Sequence, residues 1–356
     1  MSGDDQRPVQ RQGRGAASNP SGRFERQQRA VLDGDEPGAP LPKLATEIRV
    51  DASRSIISRN DSPDVPFSQS INPYRGCEHG CIYCYARSTH AWLGLSPGLD
   101  FETKLFYKAD AAALLEAELA RPGYRCEPIS LGANTDPYQP IERELGVTRS
   151  ILEVLQRARH PVGIVTKGTL IERDLDLLAP MARAGLVHAF VSITTLDVEL
   201  KRDLEPRAAA PVARLATLRR LSEAGIPAGV LFAPVIPALN DHELEQVLAA
   251  AAEAGARAAG WVLLRLPHEV EALFREWLEL HHPLRARHVM SLVQQSRGGH
   301  SNDPRFHARM RGTGGYADAI AARFRLAVRR YRLDQELPPY DVTRFRRPGP
   351  QLGLDL

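Results

Sequence analysis

The sequence predicts an α/β fold on a largely parallel sheet, and three observations point to it. Short apolar or β-branched runs recur along the chain, the later ones starting 26 to 40 residues apart, which is the repeat of βαβ units. Amphipathic stretches with helix start and stop residues fill the gaps between them. The composition, 43% hydrophobic and 25% charged over 356 residues, is that of a globular chain able to bury a sizeable core. That length suits two or three ordinary domains or one large α/β barrel.

Residues 1–48 are rich in Gly, Pro, Gln and Arg with few large apolar side chains, so a disordered tail is expected there. Strands are expected at 67–71, 128–132, 162–166, 188–194, 228–234 and 260–266. Thr148 is the expected cap of a helix over 149–159, where Ile151, Leu152 and Leu155 share one face. Pro211 suits a first helical position, and Gly225 ends that helix. Asn240 or Asp241 is the expected cap of a helix over 243–254, stopped by Gly255. A helix over 269–280 sets Leu273, Trp277 and Leu280 on one side, and 317–331 reads as a basic amphipathic helix. These elements make a core over 60–290 and a basic extension over 296–356. The pattern alone allows a barrel or a doubly wound sheet. In both, the ligand site lies at the carboxyl ends of the strands.

The longest charge-free stretch, around 226–239, is interrupted by Pro227, Pro234 and Pro237 and is too short for a bilayer. Residues 1–15 contain no apolar signal core. A cytoplasmic location without membrane contact is therefore expected. The net charge of +3 conceals an asymmetry, because residues 285–347 hold 14 Arg and 5 Asp or Glu, a surplus of +9, leaving −6 for the rest. Such a patch suits a polyanion such as nucleic acid. A generally Arg-rich composition, with 5 Lys among 46 basic residues, gives the same count.

Three of the four cysteines, Cys77, Cys81 and Cys84, fall within eight residues, and Cys126 stands apart. Three thiolates in one short loop repel one another unless a cation holds them. A Cys3His zinc site completed by His90, which is better spaced than His79, is one solution. An iron–sulfur cluster with one iron left open to a non-protein ligand is the other. An enzyme and a non-catalytic, metal-stabilised nucleic-acid-binding protein both remain open at this point.

The run Asn72-Pro73-Tyr74-Arg75-Gly76-Cys77-Glu78-His79-Gly80-Cys81-Ile82-Tyr83-Cys84-Tyr85-Ala86, with its C-x3-C-x2-C spacing and aromatic Tyr83, resembles the signature of the radical S-adenosylmethionine (SAM) superfamily. The resemblance implies a partial (β/α)6 TIM-like barrel carrying a [4Fe–4S] cluster on Cys77, Cys81 and Cys84. It also implies that SAM chelates the fourth iron and is cleaved to a 5′-deoxyadenosyl radical, which abstracts hydrogen from a substrate. The electron would come from an external donor of flavodoxin or ferredoxin type. The branch it resembles, over 67–266, is that of the spore photoproduct lyase-like and DNA repair photolyase-like proteins.

Site residues follow from the same resemblance. The turn Gly132-Ala133-Asn134-Thr135-Asp136 occupies the place where relatives bind the SAM amino group through backbone. The lyase has a cysteine in that turn, whereas this chain has Ala133 and Asn134, with Tyr138 as the alternative hydrogen donor. Thr166 and Lys167 end the third strand, where Lys167 neutralises the SAM carboxylate. Ser192 and Thr194 share a face by the period of two and serve the ribose. Leu231 and Ile236 flank the adenine, and Tyr83 of the cysteine motif is a further cofactor contact. Cys126 precedes the second strand and is expected at the far end of the barrel.

Overall fold

The computed structural model describes residues 11–25 and 44–349. Among these the strands are β1 (Glu47–Val50), β2 (Ile57–Arg59), β3 (Gln69–Ile71), β4 (Tyr74–Arg75), β5 (Lys104–Tyr107), β6 (Ile129–Leu131), β7 (Val162–Thr166), β8 (Val187–Ser192), β9 (Ala228–Val235) and β10 (Ala258–Leu263). The principal sheet runs β10-β9-β8-β7-β6-β3-β2. All its neighbours are parallel except β2, which pairs antiparallel with β3. Strand order in space follows order in sequence without reversal. A doubly wound sheet reverses at a switch point, so that alternative is excluded. The sheet is not closed, with β2 at one edge and β10 at the other. A second, small sheet orders β1-β5-β4.

Strand β7 shows how the layers arise. Val162, Ile164 and Thr166 are buried, while Gly163 and Val165 are half-buried on the opposite face. The buried face packs on helices: Val162, Ile164, Ala189, Val191 and Val230 share one core with Ile151, Leu155, Leu178, Leu218, Leu221 and Leu248. The other face, with Val165, Phe190 and Leu231 half-buried, is the inner side of the open sheet.

Helix caps differ from the sequence expectation. Thr148 lies inside the helix Val147–Arg157 and its hydroxyl donates to the Pro137 carbonyl at 2.6 Å. The free amides are taken by the Glu142 carboxylate, from Thr148 at 2.9 Å and Arg149 at 3.3 Å. A carboxylate satisfies two donors and suits the positive end of the helix dipole. Asn240 is not a side-chain cap either. It is buried, accepts the Ile236 amide at 2.6 Å and donates to Thr194 and Pro234 carbonyls at 2.7 and 2.9 Å, which ties the exit of β9 to that of β8. Pro211 does open its helix, Pro211–Glu223.

The tail is not wholly free. Gly15 and Ala16 donate their amides to Glu102 at 3.0 and 2.9 Å, and Asn19 donates to Asp100 at 3.0 Å. The buried Glu102 needs donors, and the 11–25 segment supplies two of them. The remainder of the expected tail up to residue 43, namely 1–10 and 26–43, lies outside the described residues.

The basic extension is likewise part of the core. Helix Gly315–Arg330 buries Ala317, Ile320, Phe324 and Ala327 against Trp261 and Leu263 of β10, so its apolar stripe covers one sheet edge. Arg297 is buried and donates to the carbonyls of Leu263, Leu264, Ala308 and Arg309. From there Arg309 pairs with Asp64, which precedes β3, and the His307 amide donates to the same carboxylate at 2.5 Å. The two edges that share no ladder are thus latched by side chains. No helix among the described residues is long and apolar enough to cross a membrane.

Phe324→Ala should lower stability by about 3 kcal/mol, the usual cost of emptying an aromatic site, as read from urea unfolding of the full chain. A change below about 0.5 kcal/mol, the size of a typical surface substitution, would show that the extension merely rests on the sheet edge.

Candidate active site

The cysteine loop follows β3 and therefore sits at the carboxyl ends of the parallel strands. It has almost no secondary structure of its own, so its carbonyls need other donors. Arg87, fully buried, provides them. Its Nε donates to Cys81 O at 2.8 Å, Nη2 to Gly80 O at 2.9 Å, and Nη1 to Pro97 and Gly98 carbonyls at 3.1 and 3.0 Å. Its charge is met by Glu102 at 2.5 Å. The Cys77 amide donates to Phe101 O at 3.0 Å. Gly76 turns the chain at φ +78°, where a Cβ would come within 2.9 Å of the Phe101 carbonyl oxygen.

Cys77 and Cys81 are buried, Cys84 is half-buried, and all three are free thiols. Burial raises the pKa of each. Nearby Asp136 and the other two thiols raise Cys77 further, and Cys81 is pushed up to about 12 by burial and Glu205. The loop therefore concentrates sulfur donors where they ionise only if positive charge arrives. Among the described residues no three Cys, His, Asp or Glu side chains converge as they would on a single ion. His79 Nδ1 pairs with Asp136 at 3.3 Å; His90 Nε2 bonds to the Lys104 carbonyl at 3.0 Å, while its Nδ1 is buried without a partner among the described residues. An iron–sulfur cluster gives each thiolate its own iron. Three cysteines in one short loop are a donor set that suits such a cluster.

Around the loop stand two braces that the sequence reading did not pair. Asp136 accepts from the Thr166 hydroxyl at 2.7 Å, the Lys167 amide at 2.7 Å, the Tyr138 amide at 2.9 Å and His79. Burial opposes its charge, but these partners outweigh it, and its pKa falls to about 2. Glu205 is the second brace. It accepts from Tyr83, from Thr194 at 2.6 Å and from buried Arg214, and its pKa also falls to about 2 despite burial. Arg214 donates in addition to the Ser192 carbonyl at 2.9 Å. Lys167 lies with Nζ 5.9 Å from the Tyr83 ring centroid. Burial works against its charge, but Cys81 and Glu205 overcome that and hold its pKa above the ordinary value.

The expected site residues divide accordingly. Tyr83, Lys167, Thr194 and Ser192 come together beside the cysteine loop through the Glu205 network. The turn 132–136 abuts it as well: Asn72 Oδ1 accepts the Asn134 and Thr135 amides at 2.8 and 3.4 Å, and Ala133 O accepts from Tyr85. Gly132 has φ +93°, and a Cβ there would lie 2.5 Å from Val165 O. Leu231 is half-buried on the inner face. Ile236 does not join it, being sealed in the core beside Leu239 and Leu264. Tyr138 stands apart from that group: it is buried, and its hydroxyl donates to Asp174 at 3.1 Å. Cys126 precedes β6, at the amino-terminal end of the sheet. Arg87, Glu102, Glu205 and Arg214 were not foreseen. The visible signal for Arg87 is a charged residue three positions after the last loop cysteine.

The radical SAM superfamily model matches residues 71–251, more than half of the chain, and the chain belongs to that superfamily. It is an enzyme of a family that uses a [4Fe–4S] cluster and S-adenosylmethionine. It is 42% identical over 221 residues to uncharacterized proteins of Mycobacterium tuberculosis and Mycobacterium bovis, covering 62% of this chain and 65% of theirs. An uncharacterized protein of Methanocaldococcus jannaschii is 30% identical over 173 residues, 49% of this chain and 62% of that protein. The chain thus spans just under two thirds of the length of these relatives. Among solved structures, spore photoproduct lyase complexed with dinucleoside spore photoproduct aligns at TM-score 0.56 with 16% identity, over 80% of this chain and 78% of that one. A mutant of the same lyase aligns at TM-score 0.54 with 14% identity, over 83% and 82%. At such identities the likeness is one of fold.

Asp136→Asn should cost about 2 kcal/mol at pH 7, the linkage value of a carboxylate pKa lowered by close to two units. Because the folded pKa is depressed, this contribution is present above the ordinary carboxylate range and disappears as pH falls toward 2. Urea unfolding at pH 5 and pH 3 should show the gap between wild type and variant narrowing. A gap that stays constant would mean the carboxylate charge is not what braces the loop.

Proposed function

We propose that Cys77, Cys81 and Cys84 hold the [4Fe–4S] cluster and that Lys167, the 132–136 turn and Ser192 seat SAM. The observation that carries this reading is three free thiols, two buried and one half-buried, in one loop above the strand ends, with Lys167 Nζ 5.9 Å from the ring of Tyr83 in that loop. The bound pair supplies a 5′-deoxyadenosyl radical for hydrogen abstraction from the substrate. Lys167 neutralises the SAM carboxylate. Tyr83, fixed through its hydroxyl by Glu205, and Leu231 offer the apolar contacts. Thr194 accompanies Ser192, and both hydroxyls also reach Ala233 O, at 3.1 and 3.3 Å. Thr166 and Asp136 spend their polar atoms on one another, on backbone and, for Asp136, on His79, so we assign them to positioning and leave contact to the backbone of the turn. We read the open sheet as a partial (β/α)6 barrel, with 60–290 as its body and 296–349 as a wall packed upon it. The electron enters from an external donor of flavodoxin or ferredoxin type, and the reducing cytoplasm suits the free thiols.

A nucleic-acid substrate is the reading that the basic surplus supports, in narrower form than the count of 14 Arg. Arg297, Arg305, Arg309, Arg311, Arg323 and Arg344 are bonded within the chain. Arg325, Arg329, Arg330 and Arg332 are exposed and are the charges we assign to the polyanion.

Single Ala substitutions at Cys77, Cys81 or Cys84 should abolish the cluster, whereas Cys126→Ala retains it, as measured by iron and sulfide content and the reduced EPR signal. Lys167→Ala should keep the cluster and weaken SAM binding by about 1.5–3 kcal/mol, read from the SAM-induced change in that signal. Normal iron in Cys81→Ala would overturn the ligand assignment.

Replacing Arg325, Arg329 and Arg330 together by Gln should reduce single-stranded DNA affinity and flatten its salt dependence, since each lost phosphate contact lowers the slope by roughly one. Anisotropy titrations at two salt concentrations decide it. Weak, salt-insensitive binding by wild type would remove nucleic acid as the substrate.

A further inference from the structure

Arg265 follows the last parallel strand, at the carboxyl end of the sheet, and its surroundings contain no acid to match it. Its Nε is buried without a hydrogen-bond partner. Its hydrogen bond among the described residues runs from Nη1 to the Met310 sulfur at 3.5 Å, a weak acceptor. Its guanidinium carbon lies 5.7 Å from the centroid of the Tyr85 ring, and Tyr85 directly follows Cys84. The charged neighbours make the mismatch worse. Arg309 repels it, and Asp64, the nearest acid to act on it, is already taken by Arg309. Burial and that repulsion lower the Arg265 pKa. Arg297, in the same group, is satisfied by four carbonyls, and Arg311 donates to Trp261 O at 2.7 Å. Arg265 alone of the three has no carbonyl or carboxylate.

Arg265 is half-buried with its Nε sealed and unpartnered, and a charge withdrawn from water without an acid to match it is costly, so the fold keeps it for a ligand that arrives later. We propose that Arg265 is the anion-binding residue of a substrate subsite at the rim between Tyr85 and Met310. It takes an oxyanion, a phosphate or a carboxylate, carried by the molecule from which hydrogen is abstracted. The planar fork of a guanidinium suits either group in bidentate fashion. The half-exposed Tyr85 ring offers a flat apolar surface beside it. This rests on the reading of the cysteine loop as the radical centre, since it is the loop that gives the rim its chemistry.

Met310 gives the test a local reporter. The chain has four methionines, so full-length reconstituted protein labelled at the methionine methyl groups yields few signals, and Met310→Leu assigns the relevant one. Inorganic phosphate and acetate are titrated separately at constant ionic strength, with and without saturating SAM. One anion should move the Met310 methyl resonance saturably while Met181 and Met290 stay in place, and whichever does so identifies the group. Arg265→Gln should raise the dissociation constant at least tenfold, and Arg265→Lys should restore part of the affinity. The proposal fails if neither anion moves Met310, or if Arg265→Gln responds like wild type. It also fails if saturating SAM abolishes the response, which would assign the arginine to the cofactor. Cluster absorbance recorded on the same samples separates this from the radical SAM reading: loss of iron would sink that reading, while the anion titration still reports on Arg265.

Discussion

An irregular loop can be buried only if something other than a helix or a sheet takes its carbonyl groups, and Arg87 does this for the cysteine loop. One guanidinium serves Gly80, Cys81, Pro97 and Gly98 and is neutralised by Glu102. Glu102 in turn accepts the amides of Gly15 and Ala16. The amino-terminal segment is therefore ordered by the same carboxylate that balances Arg87. Removing either partner leaves an uncompensated buried charge, which is far more damaging than never having had the pair. The conformation of the thiol-bearing loop is thus set before any metal chemistry enters.

The same device recurs at each strand exit. Asp136 joins the exits of β6 and β7 to His79, and Glu205 joins Tyr83 and Thr194 to Arg214, which in turn holds the end of β8. Parallel strands end with unpaired backbone, and their exit loops must be aligned with one another for a ligand to lie across them. Carboxylates do this well because one group accepts from several loops at once. The cost is local desolvation, and the depressed pKa values of Asp136 and Glu205 show that the partners more than offset it.

Local features were legible in the sequence and long-range ones were not. The cysteine spacing, β7 at 162–166 and the Pro211 helix start all depend on near neighbours in the chain. Thr148 misled because Glu142, six residues earlier, is the stronger acceptor and sits outside any standard capping box. Arg214 gave no signal of its own, because its partner Glu205 lies in the preceding turn and only the fold buries the pair. The tail was legible as composition only: nothing in its sequence says that Glu102, 86 residues after Ala16, is waiting for its amides. The surplus of arginine misled in a similar way. Part of it is spent within the fold, where buried Arg297 and the Arg309–Asp64 pair latch the sheet edges.

The carboxyl-terminal segment covers the inner face at the amino-terminal end of the sheet. Gly163 and His188 are register partners on that face, and Tyr340, arriving from the carboxyl-terminal segment, stacks on His188 with centroids 4.1 Å apart. A Cβ at Gly163 would stand 2.8 Å from the Tyr340 hydroxyl, so glycine makes the room that the ring fills. The amides of Asp341 and Arg346 fasten this segment to Gly185 and Ala158 at 3.0 and 2.7 Å, at the amino-terminal end of the sheet. The floor is plugged, the edges are latched through Asp64 and Arg309, and the outer face is covered by helices. What stays accessible is the rim of strand ends, where the thiols, Lys167 and the unpaired Arg265 stand. On the reading proposed above, that rim, with Tyr85 beside the cysteine loop, is where a substrate would enter.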